Sequence, residues 1–322
     1  MKTIAIVAGG DSSEFGISVK SACEVHRMIS HLYSAYIIMI RGTNWYWEDS
    51  KGRYYSIDKN DFTLKKDDQK IRFDAVFVAI HGTPGENGLL QGYFDILKIP
   101  YTSCGSFSSA LTFNKHACKL YLKEYGIKMA KSVLIRQNEN PDYSGILRQI
   151  GLPCFVKPNA SGSSFGVSKI KKGEELPGAI ETAFKESEEV LVEAFMNGRE
   201  VACGVVKTRG KSVILPVTEI RSKNEFFDFE AKYTPGKSDE ITPAELPEDV
   251  TDEIQELSSK VYDILGCKGI VRVDFIVVEE KPYFLEVNTV PGMTEESIIP
   301  KQARVAGIDL SELYSMVIEE LF

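Results

Sequence analysis

The sequence predicts a protein of α/β and α+β class, divided into more than one domain. Through the first hundred residues, apolar strand-like runs alternate with helical periods, the pattern of an open α/β sheet. Beyond them, short strand candidates follow one another closely, which reads as mixed α+β with a mostly antiparallel sheet. The 322 residues also exceed what a single core usually serves, about 250–300.

Taken in order, Thr3 to Val7 reads as a first strand, followed by a helix around Ile17 to Ser30, strands at Tyr36 to Ile40 and Ala75 to Ile80, and a helix at Leu89 to Leu97. The loops Gly9-Gly10-Asp11-Ser12-Ser13-Glu14 and His81-Gly82-Thr83-Pro84-Gly85-Glu86 fall where strands end, the place at which open α/β sheets gather ligands. The Ser/Gly-rich stretch Ser103 to Ser109 marks a boundary, and Asn114 to Tyr125 is a helix stopped by Gly126. Strands are expected at Ser132 to Ile135, Pro153 to Lys157, Gly166 to Ile170 and Val190 to Phe195, with helices near Tyr143 to Ile150 and Leu176 to Lys185. A last module begins near Gly198 with strands Glu200 to Val206 and Ser212 to Val217. It continues with a stretch from Ser222 to Glu245 that lacks apolar periodicity, a length typical of functional loops. A helix at Val250 to Leu265, a strand pair at Val271 to Val278 and Tyr283 to Val287, and a helix at Leu310 to Leu321 complete the chain. The domains are accordingly expected at 1–102, 103–196 and 197–322.

Composition removes several function classes. With 43% hydrophobic and 26% charged residues the chain is neither disordered nor fibrous. A net charge of −8 gives no overall basic footprint for nucleic acid or anionic membrane. No apolar run approaches the ~20 residues of a membrane helix, and the amino terminus is too short in apolar residues for a signal peptide. Six cysteines without C-x-x-C spacing, and only four histidines, indicate neither a disulfide scaffold nor a zinc site, and fit isolated buried thiols in a reducing cytoplasm.

Two segments carry chemistry. Lys157 leaves a strand and is followed by Pro158-Asn159-Ala160-Ser161-Gly162-Ser163-Ser164, small residues whose amides could close on a polyphosphate, although an ordinary hairpin turn fits the same pattern. It is not a Walker loop, because the lysine precedes the loop and a strand follows it. The second segment is the pair Val271-Arg272-Val273-Asp274-Phe275 and Tyr283-Phe284-Leu285-Glu286-Val287-Asn288, joined by Glu279-Glu280-Lys281-Pro282 as a turn. If Asp274 faces Glu286, then Arg272 faces Asn288, and alternation puts all four on one face. Oxygen donors from Asp274, Glu286 and Asn288 suit Mg²⁺. A solvated surface ion pair is the alternative, and the apolar opposite face of Val271, Val273, Phe275 and Leu285 argues against it. The turn Thr289-Val290-Pro291-Gly292 could hold an oxyanion with its amides, or be a plain tight turn.

Lys157 with its loop, Glu193-Ala194-Phe195-Met196, Arg272-x-Asp274 and Glu286-x-Asn288-Thr289-x-Pro291-Gly292-Met293-Thr294 resemble the ATP-grasp fold. Within it, Gly9-Gly10-x-Ser12-Ser13-Glu14 and Glu230-Ala231-Lys232-Tyr233 resemble the D-alanine–D-alanine ligase family, over nearly the whole chain and in the same order. The resemblance implies three domains, with a mobile loop at about 222–245. It also implies that ATP phosphorylates one D-alanine, whose acyl phosphate is attacked by the amine of a second, to make a dipeptide for peptidoglycan.

The same resemblance implies residue roles. Lys115 and Lys157 would contact ATP phosphates, covered by the Ser161 to Ser164 loop. Glu193, Phe195 and Met196 would hold adenine, and Glu200 the ribose. Asp274, Glu286 and Asn288 would hold two Mg²⁺, or Mn²⁺. Arg272 and Gly292 would stabilise the transferred phosphoryl and the oxyanion, and Glu14 would receive the first substrate's ammonium, unless it is simply a surface loop acid. Ser163 and Tyr233 would tie this region to the mobile loop, and Lys232 and Ser297 would bind the second carboxylate. His81 is either a substrate contact or a turn-stabilising histidine. Tyr233, where D-alanine–D-lactate ligases typically present histidine, favours the dipeptide product; a D-alanine–D-lactate ligase or another ATP-grasp carboxylate–amine ligase is the alternative. Asn159-Ala160-Ser161 departs from relatives that often carry charge there. The family also implies a cytoplasmic homodimer acting on D-alanine and ATP, without nucleic acid or membrane partners.

Overall fold

The computed structural model describes residues 1–162, 165–222 and 238–322. It contains three sheets. The first begins with β1 (Thr3–Gly9), which lies between β2 (Ser34–Arg41) and β7 (Ala75–Val78) and runs parallel to both. β1 and β7 are buried along almost their whole length, as a strand covered on both faces must be. Helix α1 (Phe15–Ile29) returns the chain from β1 to β2.

The expectation of a simple alternating α/β sheet needs correction between β2 and β7. There the chain makes an antiparallel meander of β3 (Asn44–Glu48), β4 (Tyr54–Asp58), β5 (Thr63–Lys66) and β6 (Gln69–Ile71), extending the sheet to the order β6-β5-β4-β3-β2-β1-β7. Turns such as the one at Gly52, with φ of 75°, join these strands without helices. Edge-to-face aromatic pairs, including Tyr36 with Trp47 and Trp45 with Tyr93, hold the meander to α2 (Leu89–Leu97) and to its own sheet.

The Ser/Gly-rich stretch Ser103 to Ser109, read as a boundary, runs into helix α3 (Ser106–Phe113). Its hydroxyls are satisfied locally: Ser109 Oγ donates to the Cys104 carbonyl at 3.1 Å and Thr112 Oγ1 to the Ser108 carbonyl at 2.8 Å. Such small polar residues imitate loop composition while packing inside a helix interface. Helix α4 (Lys115–Lys123) follows, with Asn114 as its N-cap, accepting from the Ala117 N–H.

The second sheet is antiparallel throughout, in the order β10 (Ser168–Ile170), β9 (Cys154–Pro158), β11 (Glu189–Ala194), β8 (Ser132–Arg136), with α5 (Tyr143–Ile150) and α6 (Leu176–Ala183) packed on it. The third holds β12 (Arg199–Lys207), β13 (Ser212–Ile214), β14 (Thr218–Ser222), β15 (Ser238–Ile241), β16 (Gly269–Val278) and β17 (Lys281–Asn288), in the path β15-β14-β12-β16-β17 with β13 beside β12. The strand expected to run to Val217 thus ends at Ile214, and part of the expected loop, Ser238–Ile241, is a strand paired with β14. Helix α7 (Glu248–Ile264) covers this sheet, and α8 (Ile298–Val305) and α9 (Leu310–Glu319) end the chain.

The last helix crosses a boundary. Leu313, Tyr314, Val317 and Ile318 of α9 share a core with Ile4, Ile6, Ala22 and Val25, so the carboxyl-terminal segment closes one face of the amino-terminal sheet. The expected set of uniformly buried thiols also needs one correction: among six free cysteines, Cys23 is exposed on α1 and the other five are buried.

Candidate active site

All three sheets open onto one cleft of about 1050 Å³. On one wall, β16 and β17 pair with Arg272 opposite Asn288 and Asp274 opposite Glu286, the register expected from the sequence. The turn between them is shorter than expected, Glu279–Glu280, both residues with positive φ, while Lys281 and Pro282 already belong to the strand. A bulge between Asp274 and Phe275 brings Phe284, not Leu285, opposite Phe275. Leu285 therefore leaves the apolar face assigned to it and lines the cleft beside Glu286, while Phe284 takes the buried place.

Arg272 and Asp274, two residues apart on one strand, form a bidentate pair: Nε to Oδ1 at 2.8 Å and a terminal nitrogen to Oδ2 at 2.7 Å. Burial works against the Arg272 charge, but the Asp274 carboxylate outweighs it and raises the guanidinium's affinity for its proton. Asn288 Nδ2 donates to Asp274 Oδ2 at 3.0 Å. Among the described residues no group of three His, Cys, Asp or Glu side chains could hold a metal. The cluster here is two carboxylates and an amide, an oxygen-only donor set whose chemistry fits a hard divalent cation.

The facing wall is cationic. α4 presents Lys115, whose Nζ donates to the Ser161 carbonyl at 2.7 Å and lies 3.6 Å from Glu286. From β9 comes Lys157, buried and in contact with Glu193 of β11. Burial lowers the Lys157 ammonium to about 8, with Lys115 acting in the same direction and Glu286 against. Beyond Glu193, Phe195, Met196 and Glu200 line the same cleft, where Lys169 Nζ sits 4.1 Å from the centre of the Phe195 ring and Phe155 lies 6.0 Å from it. This end is lined by aromatic and apolar side chains next to buried charge.

The floor joins the amino-terminal loops to the segment after β17. Glu14, at the start of α1, is 8% exposed and faces the phosphate-type loop so closely that a methyl group on Gly162 would meet its Oε2. His81 is 4% exposed, with Nδ1 2.7 Å from the Val290 carbonyl and Nε2 3.1 Å from Ser21 Oγ. Nδ1–H donates to that carbonyl, and burial lowers the ring's proton affinity, which favours the neutral form with Nε2 accepting from the hydroxyl. Both nitrogens are therefore committed within the protein, and His81 ties Val290 to the amino-terminal domain. Ser21 Oγ in turn accepts from the Met293 N–H at 3.2 Å. Gly292 lines the cleft, where a methyl group added to it would meet Ser297, whose Oγ shares a 2.7 Å hydrogen bond with Thr294 Oγ1.

Of the residues singled out from the sequence, Glu14, His81, Lys115, Lys157, Ser161, Glu193, Phe195, Met196, Glu200, Arg272, Glu286, Asn288, Gly292 and Ser297 line this one cleft, with Asp274 in contact behind Arg272. Ser163, Ser164, Lys232 and Tyr233, with Glu230 and Ala231, lie outside the described residues. Asn159, the departure from the family pattern, is fully buried: its Oδ1 accepts from the His116 N–H at 2.8 Å and its Nδ2 donates to Asn114 and Glu189, fixing the start of α4 to β9. Two site residues escaped the sequence reading. Glu86 accepts from the Gly82 N–H at 2.7 Å and the Val290 N–H at 3.2 Å, and Lys119, 4% exposed, pairs with Glu193. The spacing of Lys115 and Lys119, one helical turn apart, was a usable signal for the second.

Comparison with known proteins bears on this cleft. Residues 3–104 match a family model described as D-ala D-ala ligase N-terminus, and residues 121–319 one described as D-ala D-ala ligase C-terminus. A D-alanine–D-alanine ligase of Phocaeicola vulgatus is 50% identical over 323 aligned residues, covering 100% of this chain and 99% of the relative. Among solved structures, a D-alanyl-alanine synthetase A from Vibrio cholerae superposes with a TM-score of 0.90 at 30% identity, covering 99% of this chain and 98% of that one. A D-Ala:D-Ser ligase from Enterococcus faecalis superposes with a TM-score of 0.87 at 32% identity, covering 100% and 99%.

Proposed function

The chain belongs to the D-alanine–D-alanine ligase family, and from that premise we propose how its residues divide the reaction. The protein is an ATP-grasp enzyme that joins two D-alanine molecules at the expense of ATP, supplying a dipeptide for peptidoglycan precursors. A carboxylate oxygen of the first D-alanine attacks the γ-phosphorus and ADP departs. The amine of the second D-alanine attacks the acyl carbon, the carbon–oxygen bond to phosphate breaks, and the amine loses a proton.

Such chemistry needs alignment and charge neutralisation more than a covalent nucleophile. We assign the phosphates to Lys115, Lys157 and the amides of the Ser161 to Ser164 loop, adenine to Glu193, Phe195 and Met196, and the ribose to Glu200. Asp274, Glu286 and Asn288 are assigned to two Mg²⁺ ions, for which Mn²⁺ can substitute. When bound, such ions neutralise charge on the transferring phosphoryl group. Arg272, locked in its plane by Asp274, points a fixed cation at that group, and the Gly292 N–H faces the developing oxyanion. Glu14 receives the ammonium of the first D-alanine, Lys232 and Ser297 the carboxylate of the second, and Ser163 and Tyr233 join the loop about 222–245 to the site. His81 acts as a positioning residue, because both ring nitrogens already hold protein partners.

The observation that carries this reading is the register of β16 and β17, which sets Arg272, Asp274, Glu286 and Asn288 together at one wall of a cleft whose other wall is Lys115 and Lys157. Phosphate release from ATP with Mg²⁺ tests it: release on adding D-alanine is expected, and release with L-alanine alone contradicts it. The likeness to a D-Ala:D-Ser ligase favours a second reading, in which D-serine competes as the second substrate. Comparing D-alanine, D-serine and D-lactate as acceptors across pH separates the two, and D-lactate as the preferred acceptor would place the chain with the D-lactate ligases.

We also propose domains at 1–102, 103–196 and 197–322, supported by the separation into three sheets, although α9 packs on the first sheet and Cys118 and Leu122 of α4 share a core with the third. A cytoplasmic homodimer is proposed from the family. No helix among the described residues is long and apolar enough to cross a membrane.

A further inference from the structure

Lys119 has no part in the roles assigned above. It leaves α4 one turn after Lys115, is 4% exposed, and pairs with Glu193 through Oε1, while Lys157 takes Oε2 from β9. Glu193, itself 3% exposed, is thus held between two buried ammonium groups from different elements. One counter-charge suffices for a buried carboxylate, and a second must itself be desolvated. Burial first, and repulsion from Lys157 second, lower the Lys119 ammonium's affinity for its proton well below its ordinary value. Three lysines, 115, 119 and 157, crowd this wall, and of these Lys115 and Lys157 line the cleft whereas Lys119 stands behind Glu193.

A buried lysine placed behind the carboxylate, where no ligand in the cleft reaches it, makes physical sense if Lys157 has two employments. Resting on the assignment of the phosphates to Lys157 and of adenine to Glu193, we propose that Lys119 is a positioning residue that keeps Glu193 balanced and oriented when a nucleotide polyphosphate draws Lys157 away. Without it, Glu193 would face a highly charged anion with no cation of its own, and would hold Lys157 back from the phosphates. With it, Glu193 remains an ionised carboxylate, which accepts hydrogen bonds and donates none. Such a group pairs with the exocyclic amine of adenine and repels the carbonyl oxygen that guanine carries at the same position. The preference for ATP over GTP therefore runs through Lys119, a residue that touches neither base nor phosphate.

The test compares ligands with and without phosphates. In Lys119→Met, the KM for ATP should rise about tenfold or more, as expected when a buried charge loses its partner, with kcat at saturating ATP changing less than about twofold. The ATP:GTP ratio of kcat/KM should shrink. Adenosine, measured as a competitive inhibitor against ATP, should bind as it does to the parent, because without phosphates Lys157 stays on Glu193. Lys119→Arg should restore ATP binding. Equal weakening of ATP and adenosine would show a merely structural role and overturn the proposal, as would an unchanged KM for ATP. Glu193→Gln separates the proposal from its premise. If that change alters neither KM for ATP nor the ATP:GTP ratio, the adenine assignment itself falls. If it alters both while Lys119→Met alters neither, only the role of Lys119 falls. Should Lys119→Met not fold, the Lys119→Met/Glu193→Gln double variant decides: its KM should equal that of Glu193→Gln alone, and a further loss would overturn the coupling.

Discussion

Replacing Glu86 by glutamine removes an acidic group in the floor of the cleft whose ionisation the fold opposes. Its carboxylate accepts from the Gly82 N–H and the Val290 N–H, stitching the loop after β7 to the segment after β17. Burial first, and the nearby Glu14 second, raise it from 4.5 to about 7, against the pull of those two N–H groups. The folded chain therefore holds a proton here that the unfolded chain has released. Its contribution to stability is fully present below pH 4.5 and is lost as the pH rises through about 7. That gap corresponds to about 3 kcal/mol. Glu86 borders the cleft and is only half-buried, so water screens part of it and about 1–2 kcal/mol is the expected remainder. Glutamine keeps an oxygen for one N–H and does not titrate. Urea denaturation of parent and Glu86→Gln between pH 5 and pH 8 should show the variant gaining on the parent by that amount as the pH rises. A stability difference that stays constant over the range would refute the reasoning.

Lys157→Ala should act mainly on nucleotide binding, raising the KM for ATP by about tenfold or more while changing turnover at saturation less, as steady-state kinetics would show. Glu286→Gln should instead lower kcat at saturating ATP, and normal turnover in that variant would remove the metal assignment. Chelation with EDTA should stop phosphate release, with Mg²⁺ or Mn²⁺ restoring it. Gly85→Ala should cost about 1–3 kcal/mol in thermal denaturation, because the added methyl collides with the backbone carbonyl of Ile80 and the loop carrying His81 and Glu86 must shift.

The β16–β17 hairpin could be read from the chain because its information is local. Arg272, Asp274, Glu286 and Asn288 alternate with apolar residues, so their pairing on one face could be expected, but the two-residue turn alone would set Asp274 opposite Leu285, and the bulge after Asp274 is what brings Glu286 opposite it. The bulge that turns Leu285 into the cleft was not legible, since alternation carries no sign of where an extra residue will be accommodated. Strands β3 to β6 escaped for a related reason: they are short, β3 and β4 are aromatic and mostly part-exposed, and their pairing is decided by side chains on neighbouring strands rather than by a period within each. The last helix was legible as a helix, but nothing local in it shows that its partner would be the first sheet of the chain. Lys119 was hidden more deeply, because a buried lysine becomes comprehensible only when its carboxylate partner, contributed by a strand of another element, is seen beside it. His81 shows the opposite case. The loop that holds it was marked correctly, yet its chemistry depends on Val290 and Ser21, which no local pattern connects to it.

An isotope measurement reaches the central claim most directly. D-alanine carrying ¹⁸O in its carboxylate is supplied with unlabelled ATP, and the released phosphate is analysed by mass. If the cleft transfers the γ-phosphoryl group to the carboxylate and the second amine then displaces it, each phosphate carries one ¹⁸O atom, in step with dipeptide formed. Phosphate without label, released at the rate of dipeptide formation, would contradict an acyl phosphate and the roles assigned to Arg272, Gly292 and the cationic wall.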